Sequence, residues 1–314
     1  MINESLFYAK ILLFGEYGII EDSMGLSIPF NHFQGKFVFP KDSPSESQIR
    51  SNKSILKFVS HLKTMQFSGE LPCKFNLKKL ESDLENGLYF ESSIPQGFGV
   101  GSSGALVAAL YATYVENPIT SEDIMIDDNL NDLKTVLSLM ESYFHGKSSG
   151  LDPLICYLNL PILIKGKGHL DTVGLPVQNT EGKGAIFLMN SGAPGKTKGM
   201  VEIFLERLKE EGFRNMVRNE LKKHNDSAVK HFLKGDAAPL FQSVKEISKL
   251  FLNNFQPMIP QQFEEIWRKG IETNAYYLKL CGSGGGGFVL GFTQDLEQAQ
   301  EILKDHSLQV IYKM

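Results

Sequence analysis

Glycine crowds two short stretches of this chain, each lying between segments that read as regular structure. The later stretch, Lys279-Leu280-Cys281-Gly282-Ser283-Gly284-Gly285-Gly286-Gly287, carries five glycines in six residues. It separates two apolar, strand-like segments, 275–281 and 288–292. Glycine brings no side chain to a core and loses more backbone freedom on folding than any other residue. Such a run beside a strand is useful where the backbone must come close to something. A phosphate chain is the usual candidate, because successive N–H groups of a glycine turn form an anion-binding concavity. The plainer reading is a flexible hairpin turn.

A second stretch weakens the plainer reading. Ile94-Pro95-Gln96-Gly97-Phe98-Gly99-Val100-Gly101-Ser102-Ser103-Gly104-Ala105 is followed by the alanine- and leucine-rich run 106–112, which reads as a helix. A short strand is predicted before it, over 87–92. Strand, glycine loop and helix N-terminus together place unpaired N–H donors and a partial positive charge at the loop, which suits phosphate. Ser102 or Ser103 also suits the N-cap. Gly99-x-Gly101-x-x-Gly104 formally fits a dinucleotide fingerprint, but Pro95 and Gly97 interrupt the approach and no βαβ unit opens the chain. The chain has no Gly-x-x-x-x-Gly-Lys-Ser/Thr run, and neither serine has the spacing of a hydrolase nucleophile elbow.

With 314 residues, there is material for one large or two ordinary domains. The balance of 42% apolar and 22% charged residues is that of a globular protein. A net charge of −4, with no basic cluster interleaved with aromatics, argues against nucleic acid as a partner. The absence of a long apolar run argues against a membrane span, and the first residues lack the regions of a signal peptide. Cys73, Cys156 and Cys281 have neither metal-ligand nor disulfide spacing, so they read as buried small apolar residues in a reducing, cytoplasmic setting.

The pattern predicts strands over 7–14, 34–39, 73–77 and 185–189, a surface loop over 40–51, and helices over 54–65 and 128–144. Leu130, Leu133, Leu137, Met140 and Phe144 recur at helical spacing in the last of these. The segment 153–164 is apolar and broken by Pro161. Charge and glycine over 165–183 suggest a boundary, dividing the chain into domains at 1–180 and 181–314. Beyond it helices are predicted over 197–211, 213–233, 237–252 and 260–274, and the chain ends strand, glycine turn, strand, helix, strand. The mixture indicates an α+β architecture in both parts.

Several polar residues stand out against this pattern. Glu141 and His145 are four apart at the end of a helix and share a face with Leu137. A carboxylate beside an apolar stripe is costly unless paired or bound to a cation. It could equally be solvated at the stripe's edge, and His145 before Gly146 reads as an ordinary helix C-terminal histidine. Asp152 follows a loop of small residues that would let a carboxylate approach a ligand, although Asp before Pro is also a common turn residue. Lys10 sits inside an apolar strand, either snorkelling from an edge or as a paired ammonium, with Glu16 in the following turn a natural partner. Thr197 follows a strand and a Gly-Pro turn, and by itself reads as an N-cap.

Taken in order, these segments resemble the GHMP kinase superfamily, and within it the mevalonate kinases. Pro95-x-Gly-x-Gly-x-Gly-Ser-Ser-Gly-Ala is similar to the family's phosphate loop, and Lys279-Leu-Cys-Gly-Ser-Gly-Gly-Gly-Gly to its C-terminal glycine motif. His145-Gly-Lys-Ser-Ser-Gly-Leu-Asp152 resembles His-Gly-x-Pro-Ser-Gly-x-Asp, with Glu141 where those enzymes carry a metal-binding glutamate. Asn190-Ser-Gly-Ala-Pro-Gly-Lys-Thr197 is similar to a strand-turn segment ending in an active-site threonine. The usual Ala-Pro-Gly-Lys and Gly-Glu-His are here Phe7-Tyr8-Ala9-Lys10 and Gly15-Glu16-Tyr17, so a histidine implicated in substrate binding is replaced by Tyr17. The proline of the His-Gly signature is Ser148.

The resemblance implies a two-domain fold, with an N-terminal domain like the second domain of ribosomal protein S5 and a ferredoxin-like C-terminal domain. It implies transfer of the γ-phosphoryl group of ATP to a primary hydroxyl, with Mg²⁺, and mevalonate as the acceptor. The cofactor-binding loop would comprise Gly97, Gly99, Val100, Gly101, Ser102, Ser103 and Gly104. Ser103 and Glu141 would hold the metal. Asp152 would orient the hydroxyl and take its proton, and Lys10 would stabilise the developing alkoxide. Glu16, Tyr17, His145, Thr197, Gly282, Ser283 and Gly284 would line the substrate side. The implied partner is a small molecule, with room for a homodimer. The competing readings are another kinase of the superfamily such as phosphomevalonate kinase, a non-catalytic nucleotide sensor on the same fold, and, from the glycine fingerprint alone, a dinucleotide-dependent oxidoreductase.

Overall fold

The apolar run Phe7–Phe14 forms β1, which a connection holding a short 3-10 turn (Gly18–Glu21) joins to a long β2 (Gly25–Val38). Then follow α1 (Glu46–Ser68), α2 (Leu77–Glu85), β3 (Tyr89–Ser92), α3 (Ser102–Tyr114), α4 (Ser121–Asp127), α5 (Leu130–His145) and α6 (Leu151–Leu158). Next come β4 (Ile162–Ile164), β5 (Leu170–Thr172), β6 (Ala185–Asn190), α7 (Thr197–Arg207), α8 (Glu211–Asn215), α9 (Lys222–Lys234), α10 (Ala237–Asn254) and α11 (Glu264–Thr273). β7 (Tyr277–Leu280), β8 (Phe288–Thr293), α12 (Leu296–Ile302) and β9 (Leu308–Lys313) complete the chain. This computed structural model describes residues 5–127, 129–166, 168–195 and 197–314, with the backbone alone described at 125–127, 145, 197 and 198. Among the described residues no helix is long and apolar enough to cross a membrane.

The chain forms two compact units that interleave in sequence. The first comprises the residues up to Lys10, 29–95 and 101–160; the second comprises 11–28, 96–100 and 161–314.

In the first unit the later half of β2 pairs antiparallel with β3, with Lys36 opposite Glu91 and Phe37 opposite Phe90. α3 buries Ala105, Val107, Ala108, Ala109, Leu110, Tyr111 and Tyr114, so apolar side chains surround it, as befits a central helix. It packs on α5 and α6. The helical stripe of α5 points inward as expected, with Leu130, Leu133, Leu137 and Met140 buried. Gly104 sets the spacing at one end. A Cβ there would lie 2.8 Å from both the Asp152 carbonyl carbon and the Pro153 nitrogen, so the first turns of α3 and α6 meet backbone to backbone.

In the second unit β6 to β9 form an antiparallel sheet in the order β7-β8-β6-β9. Reading β6, helices, β7, β8, α12, β9 along the chain gives the βαββαβ pattern of a ferredoxin-like domain. α10 packs on β7 and β8, and α9 and α11 pack on α10. The start of β2 pairs with β4 through Gly25 opposite Ile164, and β4 pairs with β5. Between α8 and α9 the helix runs on through a π-helical segment, Met216–Leu221. Arg218 from this segment pairs with Glu21, and Asp226 from α9 accepts hydrogen bonds from the Ser23 hydroxyl (2.8 Å) and Met24 N–H (2.7 Å). The turn that follows Tyr17 is therefore anchored.

Three local expectations change. The stretch 40–51 is not all loop, because Ser45 and Gln48 form a reciprocal capping box that starts α1 at Glu46. Residues 73–77 form no strand: Phe75 makes a single bridge to Val115, and the Asn76 side chain caps α2 by accepting from Lys79 N–H. Cys73 is only half-buried, whereas Cys156 and Cys281 are buried.

The capping box gives a direct test of where α1 begins. Ser45→Ala should cost about 1 kcal/mol in urea unfolding. Ser54→Ala, in the exposed middle of the helix, should be neutral or slightly stabilising. Equal effects would place the helix start elsewhere.

Candidate active site

In the first unit Lys10 lies on β1 among buried neighbours, and its side chain is 5% exposed. Its ammonium reaches Asp152 Oδ1 at 2.7 Å, and the Asp152 side chain is 36% exposed. The geometry thus pairs a buried cation with a carboxylate that still meets solvent. Gly101 makes room for the lysine. With φ of +83°, a Cβ there would come within 2.9 Å of Lys10 Cγ and 3.3 Å of Cys156 Sγ. Burial, reinforced by the Asp152 charge, pushes the Cys156 thiol well above its ordinary range, so it sits as a neutral group beside the Gly101 carbonyl.

Ser102 and Ser103 open α3. Its N-cap is Gly101, which has no side chain to bond the first-turn amides. α6 starts in the same manner at Gly150, with Asp152 in its first turn. Between them lies Glu141, 3% exposed. Ser103 Oγ donates to Glu141 Oε1 at 3.0 Å, and Ser148 Oγ donates to Oε2 at 2.5 Å. Burial, and secondarily the negative charge of Asp152, push this carboxyl up to about 7 despite the two hydroxyl donors and Lys10.

In the second unit three glycine-containing segments stack backbone on backbone. Gly97 and Gly99 take left-handed φ of 79° and 77°. A Cβ on Gly97 would meet Pro194 Cβ at 2.7 Å, and one on Gly99 would meet the Cys281 carbonyl oxygen at 2.7 Å. Gly195 N–H donates to the Gly97 carbonyl at 2.7 Å. Gly287 packs against the Phe98 backbone and donates to the Ala193 carbonyl, while Gly285 donates to Met258. The object that the C-terminal glycines approach is therefore, in the first instance, protein backbone. Val100, 1% exposed, anchors the loop.

Glu16 and Tyr17 belong to the same unit. Glu16 is bonded to Lys279 Nζ at 2.5 Å, with both side chains 1% exposed, and Lys279 also donates to the Leu280 carbonyl at 3.0 Å. The sequence makes Glu16 a natural partner for Lys10. The structure pairs Lys10 with Asp152 and Glu16 with Lys279. Lys279 carries the same signal in the sequence as Lys10, a lysine between apolar neighbours in a strand. Tyr17 has φ of 61°, its ring packs on Phe204 and Phe255, and its hydroxyl donates to the Ser283 carbonyl at 2.5 Å. Burial and then Glu16 raise its phenol well above the ordinary tyrosine range, leaving a neutral donor. The side chains of His145 and Thr197, expected on the substrate side, lie outside the described residues.

Among the described residues no group of three or more His, Cys, Asp or Glu side chains is placed to hold a metal ion. The oxygens of Ser103 and Glu141 instead suit a hard cation that keeps waters and takes its remaining ligands from a phosphate chain. A buried carboxylate whose ionised form is disfavoured by its surroundings is also what a cation would stabilise.

Comparison with known proteins identifies the family and the fold. The family profile for the GHMP kinases N terminal domain matches residues 70–159, and that for GHMP kinases C terminal matches 228–308, together more than half the chain. Among solved structures, the L. major mevalonate kinase in complex with R-mevalonate is 16% identical, with a TM-score of 0.64 over 100% of this chain and 97% of that one. The Streptococcus pneumoniae phosphomevalonate kinase is 14% identical, with a TM-score of 0.61 over 99% and 100%. The Lactococcus lactis galactokinase complexed with galactose is 11% identical, with a TM-score of 0.62 over 98% and 92%. At these identities the likeness is one of fold. No sequence match to a curated protein reaches significance.

Two measurements check the electrostatics. Lys279→Met leaves Glu16 buried without its cation and should cost about 3–5 kcal/mol in urea unfolding. The double variant Glu16→Leu, Lys279→Met should recover most of that loss; a loss below about 1 kcal/mol for the single variant would remove the pair from the structural account. For Glu141, folding raises the carboxyl from 4.5 to about 7, so between those values the folded protein holds a proton that the unfolded chain has released. Its contribution to stability is therefore intact below pH 4.5 and is lost as pH rises to about 7, by up to roughly 3 kcal/mol. Metal-free Glu141→Gln should lack that part of the pH dependence.

Proposed function

We propose that this chain, a member of the GHMP kinase family, transfers the γ-phosphoryl group of ATP to a primary hydroxyl of a small molecule, with mevalonate as acceptor and 5-phosphomevalonate as product. One observation carries this reading. Lys10 on β1 pairs at 2.7 Å with Asp152 in the first turn of α6, whose backbone abuts the first turn of α3.

Each residue then has a physical task. Phosphoryl transfer depends on placement and charge neutralisation more than on covalent catalysis by the protein. The N-terminus of α3, opening at Gly101, Ser102 and Ser103, binds the phosphates. Asp152 orients the acceptor hydroxyl and accepts its proton as the new oxygen–phosphorus bond forms and the bond to the leaving ADP oxygen breaks. Lys10 holds Asp152 in place and faces the negative charge that develops on the attacking oxygen. Ser103 and Glu141 supply oxygens for Mg²⁺, which, when bound, neutralises phosphate charge.

Tyr17 favours a second reading of the acceptor. The position of the histidine implicated in mevalonate binding holds a buried tyrosine whose hydroxyl is engaged by Ser283. A different small alcohol, such as phosphomevalonate, would suit a site that lacks an imidazole there.

ATP consumption against mevalonate, phosphomevalonate, homoserine and galactose separates the readings. Turnover on mevalonate is expected, turnover on another acceptor alone supports the second reading, and turnover on none of them, with no phosphorylated product, contradicts the mevalonate assignment. Asp152→Asn should retain nucleotide affinity but lower kcat about 10²-fold or more. Turnover within a few-fold of the parent would reject its role in proton transfer.

A further inference from the structure

The mevalonate kinase signature has proline at the position of Ser148, and that departure carries chemistry of its own. Ser148 Oγ donates to Glu141 Oε2 at 2.5 Å. The same oxygen accepts from the Gly150 N–H at 3.0 Å, at the N-cap of the helix that carries Asp152. A serine hydroxyl has one proton to donate, and here it points at the carboxylate. The loop is fastened to α5 independently, because Ser138 Oγ donates to the Ser148 carbonyl at 2.6 Å. Gly150 lies so close to α5 that a Cβ there would come within 2.4 Å of the Lys134 carbonyl oxygen. Main-chain packing thus fixes where the loop lies, and the Ser148 side chain acts on Glu141.

We propose that Ser148 is a positioning residue for the divalent cation, holding one oxygen of the buried Glu141 carboxylate so that the other is presented beside Ser103. The proposal rests on the kinase reading above. Glu141 is held at both oxygens, Oε1 by Ser103 and Oε2 by Ser148. With Oε2 occupied by Ser148, the carboxylate plane is fixed, and Oε1 and Ser103 Oγ, 3.0 Å apart, form the pair of oxygens offered to a metal. Without the Ser148 hydroxyl, the carboxylate is held at Oε1 alone and loses the second contact that fixes its plane. Partners that orient a metal-binding carboxylate commonly change metal affinity by about 10–100-fold when removed. The serine supplies by a hydrogen bond an orientation that a proline at this position has no side-chain donor to provide.

The test uses the full chain with a non-hydrolysable ATP analogue and Mn²⁺, metal binding being read by electron paramagnetic resonance. Steady-state Mg²⁺ titrations of turnover accompany it. Ser148→Ala should weaken Mn²⁺ binding and raise the Mg²⁺ requirement by about 10-fold or more, while kcat at saturating metal changes less than the metal constant. Ser148→Thr, which keeps a hydroxyl, should restore affinity to within about threefold of the parent, well below that range. Ser138→Ala loosens the same loop but leaves the Ser148 hydroxyl in place, so it should lower the melting temperature without moving the metal constant. An unchanged metal constant in Ser148→Ala, or an equal change in Ser138→Ala, overturns the proposal and leaves the kinase reading standing. A parent protein that binds no metal with the nucleotide overturns both.

Discussion

The first turns of α3 and α6 touch because Gly104 has no side chain, and the chemistry of the first unit depends on that contact. Any Cβ at residue 104 would collide with the backbone of Asp152 and Pro153. Without the contact, Asp152 would stand away from the helix terminus that begins with Ser102 and Ser103. The positive end of the α3 dipole, the Lys10 ammonium and the Asp152 carboxylate are thereby gathered into one small volume. Glycine at the N-caps of both helices continues this logic, since each cap leaves its first turn unbonded by a side chain of the cap residue.

Placing Glu141 in the same volume is energetically costly. Its carboxylate is buried, stands near Asp152 and is raised to about 7, so the fold disfavours its ionised form in the absence of a cation. Three polar neighbours offset part of that cost: Ser103, Ser148 and, through its charge, Lys10. The second unit resolves a similar problem differently, with Glu16 and Lys279 buried together as an ion pair. The two oxygens of the first carboxylate accept from serine hydroxyls, whereas the second is neutralised by the chain itself. That contrast fits a ligand-binding role for one and a scaffolding role for the other.

Much of the fold was legible because local pattern and tertiary role agree. β1, α5 and the βαββαβ order of the second unit follow from apolar runs, helical spacing and glycine or proline breaks. The failures have physical causes. Polar residues over 45–53 hid the start of α1, since only the reciprocal Ser45–Gln48 bonds reveal it. Pro29 and the exposed Asn31 and His32 masked the middle of β2, whose long span is fixed by pairing with β3 and β4. The crossing of the chain between units at Lys10 and again near Val100 depends on contacts remote in sequence. In the site, the Lys10–Asp152 pair was implied by resemblance. The bonds of Ser148 and Lys279 were not, because side-chain direction within a loop, or across a sheet to a turn 263 residues away, leaves no periodic mark.

The central claim is that phosphoryl transfer takes place at the Lys10–Asp152 pair beside the N-terminus of α3. A crystal structure with a non-hydrolysable ATP analogue and Mn²⁺ addresses it most directly, because the anomalous signal of the metal locates the phosphate chain. The account predicts manganese bound to Ser103 Oγ and Glu141, with the terminal phosphate facing Lys10 and Asp152. Phosphates seated away from the first turn of α3, with the Lys10–Asp152 pair facing bulk solvent, would contradict it.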